Sequence, residues 1–174
     1  MINPPFQYSP GGLALTESFE GYSDVAYPDS VSGAEPWTIG YGHTVGVQPG
    51  DTCTKDQAEQ WLLSDVQAVC DAINRDCTWQ NLTQDEFDAL VDFGFNLGVH
   101  ALEGSTLWRL LMAGEVDAAS QEFDKWDMAS GHVVKGLLNR RNAEEALFIE
   151  GNPNGQSAGN TDEPDTGVTE TAVR

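Results

Sequence analysis

The stretch LTQDEFDALVDFGFNLG, residues 82–98, decides the fold of this 174-residue chain. Thr83 and Glu86 form the T-x-x-E pattern of a helix N-terminal capping box, and apolar residues follow on nearly every side of the predicted helix. The apolar positions are Phe87, Leu90, Val91, Phe93, Phe95 and Leu97. A helix that is apolar all round has to be surrounded by other elements, so we expect this helix to lie at the centre of the core.

Other helical patterns lie on both sides of this one along the chain. Thr54 and Gln57 form a T-x-x-Q capping box, and apolar residues then recur with the helical period as far as Ile73. Shorter helical patterns span residues 13–19, 106–113, 116–126 and 137–149, and Gly21 is suited to end the first of them. Residues 25–28 and 37–41, rich in aromatic and β-branched residues, predict a small hairpin. The sequence therefore predicts an α+β fold, with a small N-terminal sheet and five or six helices after it.

The length of the chain fits one domain with a tail, since domains contain roughly 150 residues. We place an N-terminal arm at residues 1–12, the folded domain at 13–150 and an acidic tail at 151–174. The tail contains no aromatic residue and is rich in Gly, Asn, Thr, Pro and acidic residues. Because it cannot bury enough apolar surface to offset the entropy lost on ordering, we expect it to be disordered.

The charge of the chain restricts its partners. There are 28 acidic and 8 basic residues, which give a formal net charge of −20. This charge repels polyanions, so we expect no nucleic-acid partner and no general binding to anionic membranes. Two readings of the acidity stay open. One is solubility in a saline medium that screens the self-repulsion, and the other is attraction of a cationic substrate.

The start of the chain, MINPPFQYSP, has neither the basic nor the apolar region of a signal peptide, and no apolar run is long enough to span a bilayer. We therefore expect a soluble protein that is made in a cytoplasm. The three cysteines, Cys53, Cys70 and Cys77, have no spacing typical of zinc ligands, so we expect no metal and no cofactor. Cys70 and Cys77 could form a disulfide only if the helix ended between them.

Two acidic residues near the predicted hairpin are candidates for catalysis. Glu20 lies at a predicted helix end between Phe19 and Gly21, where a carboxyl group can be partly desolvated and act as an acid. Asp29 lies in a polar turn and is expected to stay ionised. Paired carboxyl groups of this kind cleave glycosidic bonds, one protonating the leaving oxygen while the other activates water or attacks carbon. In a chain with 28 acidic residues the pair alone does not identify an enzyme.

A longer string of residues identifies a family. Glu20, Gly21, Tyr27 and Asp29, followed by WTIGYGHT at residues 37–44, resemble the N-terminal lobe of phage-type lysozymes, the endolysins of glycoside hydrolase family 24. The resemblance covers about residues 13–150, through TKDQAEQWLLSDV (54–66), LTQDEFDALVDFGFNLG (82–98), STLWRLLMAGE (105–115) and GLLNRRNAEEALF (136–148). It implies a lysozyme-like fold, with a small N-terminal β-sheet lobe, a larger helical C-terminal lobe and a substrate cleft between them.

The resemblance also implies roles for three residues. Glu20 would be the general acid, and Asp29 with Thr38 would hold the attacking water. The family has an acid or Cys nine positions after the Glu, as here, and a Thr six positions further on. Thr38 instead follows Asp29 by nine positions, so the loop between them has three additional residues. We expect an inverting reaction, for which the two carboxyl groups would lie roughly 6.5–9.5 Å apart.

Four further residues are candidates for substrate binding, each with a structural alternative. Glu35 lies in the enlarged loop and is either a solvated charge or a residue that shares the role of Asp29. Trp37 and Tyr41 either stack on sugar rings or pack in the core. His43 has no second His or Cys at ligand spacing, which favours a hydrogen-bonded structural role. Arg140 and Arg141 in the last helix are interpreted as structural ion-pair partners of carboxylates, the alternative being contact with carboxylates of the substrate.

By resemblance, the expected function is that of a phage endolysin, a muramidase that hydrolyses the β-1,4 bond between N-acetylmuramic acid and N-acetylglucosamine and lyses the host cell. The enzyme would act as a monomer on the wall in the periplasm, after a holin-type protein had permeabilised the inner membrane. Two alternatives remain: a chitin or chitosan hydrolase of the same fold, and a wall-binding or virion structural module without turnover. Peptidoglycan is rich in carboxylates, so a chain with a net charge of −20 needs salt to screen the electrostatic repulsion from this substrate.

Overall fold

The computed structural model describes residues 4–28, 35–129 and 131–151. In chain order, the elements of these residues are helix α1 (Pro10–Glu20), strands β1 (Ser23–Pro28) and β2 (Trp37–Gly40), helices α2 (Lys55–Asp76), α3 (Gln84–Leu97), α4 (Val99–Glu103), α5 (Thr106–Met112) and α6 (Val116–Ser120), a 3-10 helix (Phe123–Trp126), strands β3 (Met128–Ala129) and β4 (His132–Val133), and helix α7 (Lys135–Glu150). The α+β fold with a small N-terminal sheet is confirmed.

Helix α3 is the centre of the core, as its apolar sequence predicts. Every residue from Glu86 to Gly94 is buried, and the helix packs against α1, α2, α4 and α7. Gly94 allows the closest approach, because a Cβ atom there would lie 2.6 Å from Cγ1 of Val69 on α2. Both predicted capping boxes are present, at Thr54 with Gln57 and at Thr83 with Glu86.

Strands β1 and β2 form an antiparallel hairpin in which Tyr27 pairs with Thr38 and Pro28 pairs with Trp37. Residues 51–53 extend this small sheet on the other side of β1, where the Ala26 amide donates to the carbonyl of Asp51 and the Cys53 amide to that of Asp24. Ile39, at the middle of β2, is fully buried and anchors the hairpin to α2.

The first helix begins earlier than its apolar pattern predicts. It starts at Pro10, because the hydroxyl of Ser9 accepts hydrogen bonds from the amides of Gly11 and Gly12 and forms an N-cap. Residues 10–12 of the predicted arm therefore belong to α1. The preceding segment, residues 4–9, is also ordered, since Asn74 pairs through its side-chain amide with both backbone groups of Phe6.

Several short elements differ from the prediction or are absent from it. The single helix predicted over 116–126 is divided into α6 and a 3-10 helix. Helix α4 has five residues, and strands β3 and β4 have two each. A helix this short has less than two turns, and a two-residue strand has only one inward and one outward side chain. The sequence therefore shows no repeating pattern from which such elements could be predicted. The predicted tail lies outside the described residues, apart from Gly151.

The three cysteines are buried free thiols. Helix α2 continues without a break to Asp76, and Cys77 is its C-cap residue, so the helix does not end between Cys70 and Cys77. Seven helical steps separate the two Cα atoms by about 10 Å, which is too far for a disulfide. Burial raises the pKa of the Cys70 thiol to about 12, which keeps it protonated. None of the helices in the described ranges is long and apolar enough to cross a bilayer.

Candidate active site

Glu20 is the last residue of α1, where the chain turns towards the hairpin. Gly21 follows with φ +71°, a conformation that glycine adopts without strain and that ends the helix as predicted. The Glu20 side chain is 23% exposed, so its carboxylate is partly desolvated and still reachable from solvent. The position at a helix end thus gives the environment that a catalytic carboxyl group needs.

The Glu20 carboxylate is held by Arg140 of α7. Nη1 of Arg140 donates to Oε1 of Glu20 at 2.6 Å, and the Arg140 side chain is only 5% exposed. The guanidinium also lies 5.7 Å from the ring centroid of Phe19. Because α1 and α7 are at opposite ends of the folded sequence, this contact exists only in the tertiary structure.

Asp92, on α3, holds the other side of the same guanidinium. Nε of Arg140 donates to Oδ2 of Asp92 and Nη2 donates to Oδ1, both at 2.9 Å, in a bidentate pair. Burial by itself would raise the pKa of Asp92, but the hydrogen bonds from Arg140 hold it below its ordinary value. The hydrogen bonds to Asp92 raise the pKa of Arg140 against the opposing effect of burial. Both groups are therefore charged, and Arg140 is fixed between Asp92 and Glu20.

A second buried pair starts at the next residue of α7, Arg141. Nη2 of Arg141 donates to Oε1 of Glu144 at 2.5 Å and to Oδ1 of Asn96 at 3.1 Å, and the guanidinium lies 4.9 Å from the ring centroid of Phe93. Both Arg141 and Glu144 are completely buried. The interpretation of Arg140 and Arg141 as ion-pair partners of protein carboxylates is confirmed, and their guanidinium groups are not free for a substrate.

The turn after β2 lies against Glu20. A Cβ atom at Gly42 would be 3.9 Å from Oε2 of Glu20, so glycine at this position, with φ +97°, leaves the carboxylate uncovered. Thr38 is half-buried on β2. Side chains alternate along a strand, so Thr38 lies on the opposite face of the hairpin from the buried Ile39. Asp29, the predicted partner of Glu20, lies outside the described residues, and its role stays a prediction.

Trp37 and Glu35 lie together at a separate surface cavity of about 440 Å³, which Thr44 and Gln48 also line. Neither Glu20 nor Thr38 lines this cavity. Trp37 is half-buried and packs against the core, so only part of its ring is available for a sugar. Glu35 is exposed. These two candidates therefore line a cavity that the Glu20 carboxylate does not line.

Tyr41 and His43 have structural contacts instead of open faces. Tyr41 is 5% exposed, which leaves no ring face on which a sugar could stack. The ring of His43 stacks on Trp61, with 5.0 Å between centroids, and its Nδ1 lies 2.8 Å from Oδ2 of Asp65. Nε2 of His43 lies 3.1 Å from the carbonyl oxygen of Val45, so both ring nitrogens are engaged. These contacts fix the turn after β2 to helix α2.

The sequence interpretation did not assign Asp92 to the site. One signal was available, since an acid in a helix that is apolar on nearly all sides must be buried, and a buried acid needs a partner. The identity of that partner depends on the packing of α7 against α3. Among residues 4–28, 35–129 and 131–151, no three His, Cys, Asp or Glu side chains form a group that could hold a metal ion.

Comparisons with known proteins identify the family. The sequence model of the family described as phage lysozyme matches residues 17–144. The endolysin of Bacillus phage PZA is 42% identical over 154 residues, which are 88% of this chain and 59% of that endolysin. The endolysin of Bacillus phage B103 is 39% identical over 166 residues, 95% of this chain and 62% of the relative. The chain thus spans about three fifths of the length of these two relatives.

A solved structure has the same fold over a full domain. The crystal structure of a P22 lysozyme mutant is 35% identical to this chain, with a TM-score of 0.75, and the match covers 83% of this chain and 99% of that one. The family match includes Glu20, Asp92 and Arg140, the three residues that form the ion-pair cluster. On the family match, the sequence identities and the shared fold, this chain is a member of the phage lysozyme family.

Proposed function

We propose that this chain is a muramidase that hydrolyses the β-1,4 bond between N-acetylmuramic acid and N-acetylglucosamine in peptidoglycan, with Glu20 as the general acid. The observation that carries the proposal is the environment of Glu20. Its carboxylate is at the end of α1, partly exposed, uncovered at Gly42 and held by the buried Arg140. Membership of the phage lysozyme family supports the same activity.

The charges around Glu20 are compatible with a proton donor. Three carboxyl groups lie around the Arg140 guanidinium: that of Glu20 at 2.6 Å, that of Asp92 at 2.9 Å and that of the completely buried Glu144 at 3.6 Å. Asp92 is completely buried, and hydrogen bonds from Arg140, Glu144 and Thr16 stabilise its charged form. Of the carboxyl groups around Arg140, that of Glu20 is the solvent-accessible one, and in this proposal it gives a proton to the leaving oxygen.

In this proposal Asp29 and Thr38 hold the water that attacks the anomeric carbon from the other side of the sugar ring, with inversion of configuration. Hydrolysis of the β-linked substrate by inversion gives an α-anomer as the first product. NMR of freshly cleaved wall fragments distinguishes this product from a β-anomer, which would exclude inversion. Mass analysis then separates a reducing end, expected for a hydrolase, from a 1,6-anhydro end, expected for a transglycosylase.

The activity itself is tested by a clearing assay on Gram-negative cells whose outer membrane has been permeabilised. Wild-type protein is expected to clear the suspension, and Glu20→Gln is expected to lose clearing because the amide is not acidic enough to transfer a proton to the leaving oxygen. Glu17→Gln, one turn earlier on α1, is a matched control and should clear like the wild type. Clearing by Glu20→Gln would contradict the assigned role of Glu20.

The same assay addresses the two alternative functions. A structural or wall-binding module would bind isolated walls without clearing them. A chitosan or chitin hydrolase would release soluble products from those polymers and leave peptidoglycan intact. Absence of clearing by wild-type protein, together with either of these results, would overturn the muramidase proposal.

We also propose that the protein acts as a monomer on the wall in the periplasm and that a holin-type protein gives it access. The test is expression in a Gram-negative host with and without a co-expressed membrane-permeabilising protein. Lysis that requires the second protein supports this route, and lysis without it contradicts it. Sedimentation of the full chain at assay concentration tests the monomeric state.

A further inference from the structure

A chain of buried hydrogen bonds connects the N-terminal segment to the ion-pair cluster at Glu20. The Tyr8 hydroxyl lies 2.6 Å from Oγ1 of Thr16, and Oγ1 of Thr16 donates to Oδ1 of Asp92 at 2.6 Å. Asp92 accepts both hydrogen bonds from Arg140, which in turn donates to Glu20. Five side chains from three helices and the N-terminal segment therefore form one continuous path.

The donors in this path have a fixed direction. Asp92 is ionised and accepts only, so the single hydroxyl proton of Thr16 is used in the bond to Asp92. Thr16 then has no proton left for Tyr8, so the one proton of the Tyr8 hydroxyl lies between two acceptors, the carbonyl of Gly12 at 2.7 Å and Oγ1 of Thr16 at 2.6 Å. Burial and the Asp92 charge raise the pKa of Tyr8, which keeps this proton in place. The Thr16 proton thus points towards Asp92, and Tyr8 supplies the proton on the other side of Thr16.

The position of Asp92 decides where Arg140 points. A bidentate pair fixes the plane of a guanidinium, and the third nitrogen, Nη1, is then directed at Glu20. The Thr16 hydroxyl, which is completely buried, contacts Oδ1 of Asp92 and limits rotation of the carboxylate. Without that contact the orientation of the Asp92 carboxylate would be less well defined. The plane of the Arg140 guanidinium, which the carboxylate sets, would then also be less well defined.

The N-terminal segment is held in place independently of Tyr8. Asn74 pairs with the backbone of Phe6, and the Phe6 ring stacks on Phe87 with 5.2 Å between centroids. Gln84 donates to the carbonyl of Gln7 at 2.9 Å. Tyr8 is therefore held next to Thr16 by a segment that is fixed to α2 and α3. This segment is not part of α1, the helix that carries Glu20.

We propose that Tyr8, Thr16 and Asp92 are positioning residues for the catalytic acid, acting through Arg140, and that docking of residues 4–9 completes the active site. This inference rests on the proposed role of Glu20. It assigns to the N-terminal segment and to a buried hydroxyl group a part in turnover, through Arg140.

The kinetic test uses variants of Thr16 in the full chain. Thr16→Val keeps the shape of the side chain and removes the hydroxyl, whereas Thr16→Ser keeps the hydroxyl. Because a small misplacement of a catalytic group costs up to about 100-fold in rate, we expect Thr16→Val to lower kcat about tenfold, with KM changed less than about twofold. Thr16→Ser should restore most of the kcat. Ser18→Ala, which removes an exposed hydroxyl from the same helix, is the control.

A double-mutant comparison tests the order of the path. Tyr8→Phe alone should lower kcat by about two- to fivefold, since it removes one bond of the network. If Tyr8 acts only through Thr16, Tyr8→Phe should have no additional effect in the Thr16→Val background. Additive effects of the two substitutions, or a Thr16→Val protein with the kcat of the wild type once corrected for its folded fraction, would overturn the proposal.

An NMR measurement separates this proposal from the proposed function. The Nε–H resonance of Arg140 reports the bond to Asp92 whether or not the protein cleaves peptidoglycan. Its hydrogen exchange should be at least about tenfold faster in Thr16→Val than in wild type or Ser18→Ala. An unchanged resonance and exchange rate in Thr16→Val would overturn positioning. Inactive wild-type protein with the expected NMR change would instead contradict the assigned activity and leave Arg140 positioned as proposed.

Discussion

Arg140 and Glu20 are 120 residues apart in sequence, and Nη1 of Arg140 lies 2.6 Å from Oε1 of Glu20. The contact joins the last helix of the folded part to the end of the first, directly at the proposed catalytic acid. Asp92 on α3 accepts the two remaining hydrogen bonds of the same guanidinium. One buried arginine therefore links α1, α3 and α7 and fixes the Glu20 carboxylate.

The first prediction concerns Arg140→Lys. An ammonium group keeps the charge but cannot form the bidentate pair with Asp92 while it also reaches Glu20. We expect clearing activity to fall about 10- to 100-fold and the free energy of unfolding to fall by about 1–3 kcal/mol, through lost charged hydrogen bonds. Clearing rates and urea denaturation measure the two effects. Arg109→Lys, at an exposed position on α5, is the control. Wild-type activity in Arg140→Lys would contradict the role of the bidentate pair between Arg140 and Asp92.

The second prediction compares two glycines with left-handed backbone. Gly40 has φ +64°, and a Cβ atom there would lie 2.8 Å from Cβ of Ala58 on α2, while Gly46 has φ +76° and open space around it. Gly46→Ala should cost about 1–2 kcal/mol from backbone strain alone. Gly40→Ala should cost about 1–3 kcal/mol more, because β2 must move away from α2. Denaturant unfolding of both variants measures the difference, and equal losses would show that the close packing of β2 on α2 is not required.

The third prediction concerns the pH dependence of stability through Asp88. Burial raises the pKa of Asp88, and the hydrogen bonds from Ser9 and Gln84 only partly oppose this effect. An acid whose pKa is higher in the folded than in the unfolded state contributes stability that is full below about pH 4 and is lost as the pH rises through the folded value. The free energy of unfolding of wild type minus that of Asp88→Asn should therefore decrease as the pH rises above about pH 4.

Unfolding titrations of both proteins at several pH values measure this difference. Other titrating groups are shared by the two proteins and cancel in the comparison. Asp56→Asn, at an exposed position on α2, serves as the control for a general charge effect. A difference that widens with pH would contradict the raised pKa of Asp88.

The fourth prediction concerns salt and rests on the proposed function. A protein with a net charge of −20 approaches a wall polymer that is itself rich in carboxylates. Salt screens charges that are more than about 8 Å apart at physiological ionic strength, and more strongly at higher concentrations. We expect clearing activity to rise or to hold as NaCl is raised to the ionic strength of seawater. A steep fall over this range would show that attractive charge contacts, not screened repulsion, control binding.

Local features of the fold were predictable because their causes are local. The capping boxes at Thr54 and Thr83 each need two side chains three residues apart, and both are present. Gly21 ends α1 because a left-handed residue is required there. The start of α1 was predicted three residues too late. The apolar pattern begins only at Leu13, whereas the Ser9 cap starts the helix at Pro10.

The residues of the candidate site also divide into those that the sequence identifies and those whose role depends on the tertiary structure. Glu20 was identified from its helix end and from the family string, and both depend on neighbouring residues. The alternatives at Tyr41 and His43 could not be decided from the sequence, because a buried ring and a sugar-stacking ring have the same residue type. Burial of Tyr41 at 5% exposure and the contacts of His43 with Trp61 and Asp65 decide them in favour of packing.

The sequence by itself determined the family, the α+β class, the central helix and the identity of the candidate acid. These follow from capping residues, helical periodicity and a string of motif residues, all of which act over a few neighbouring positions. Only the tertiary structure decided that Asp92, Thr16 and Tyr8 share one hydrogen-bonded path with Arg140 and Glu20. The physical reason is that a buried charge must be satisfied by whichever partner the packing of distant helices brings to it, and that packing is set by the whole core.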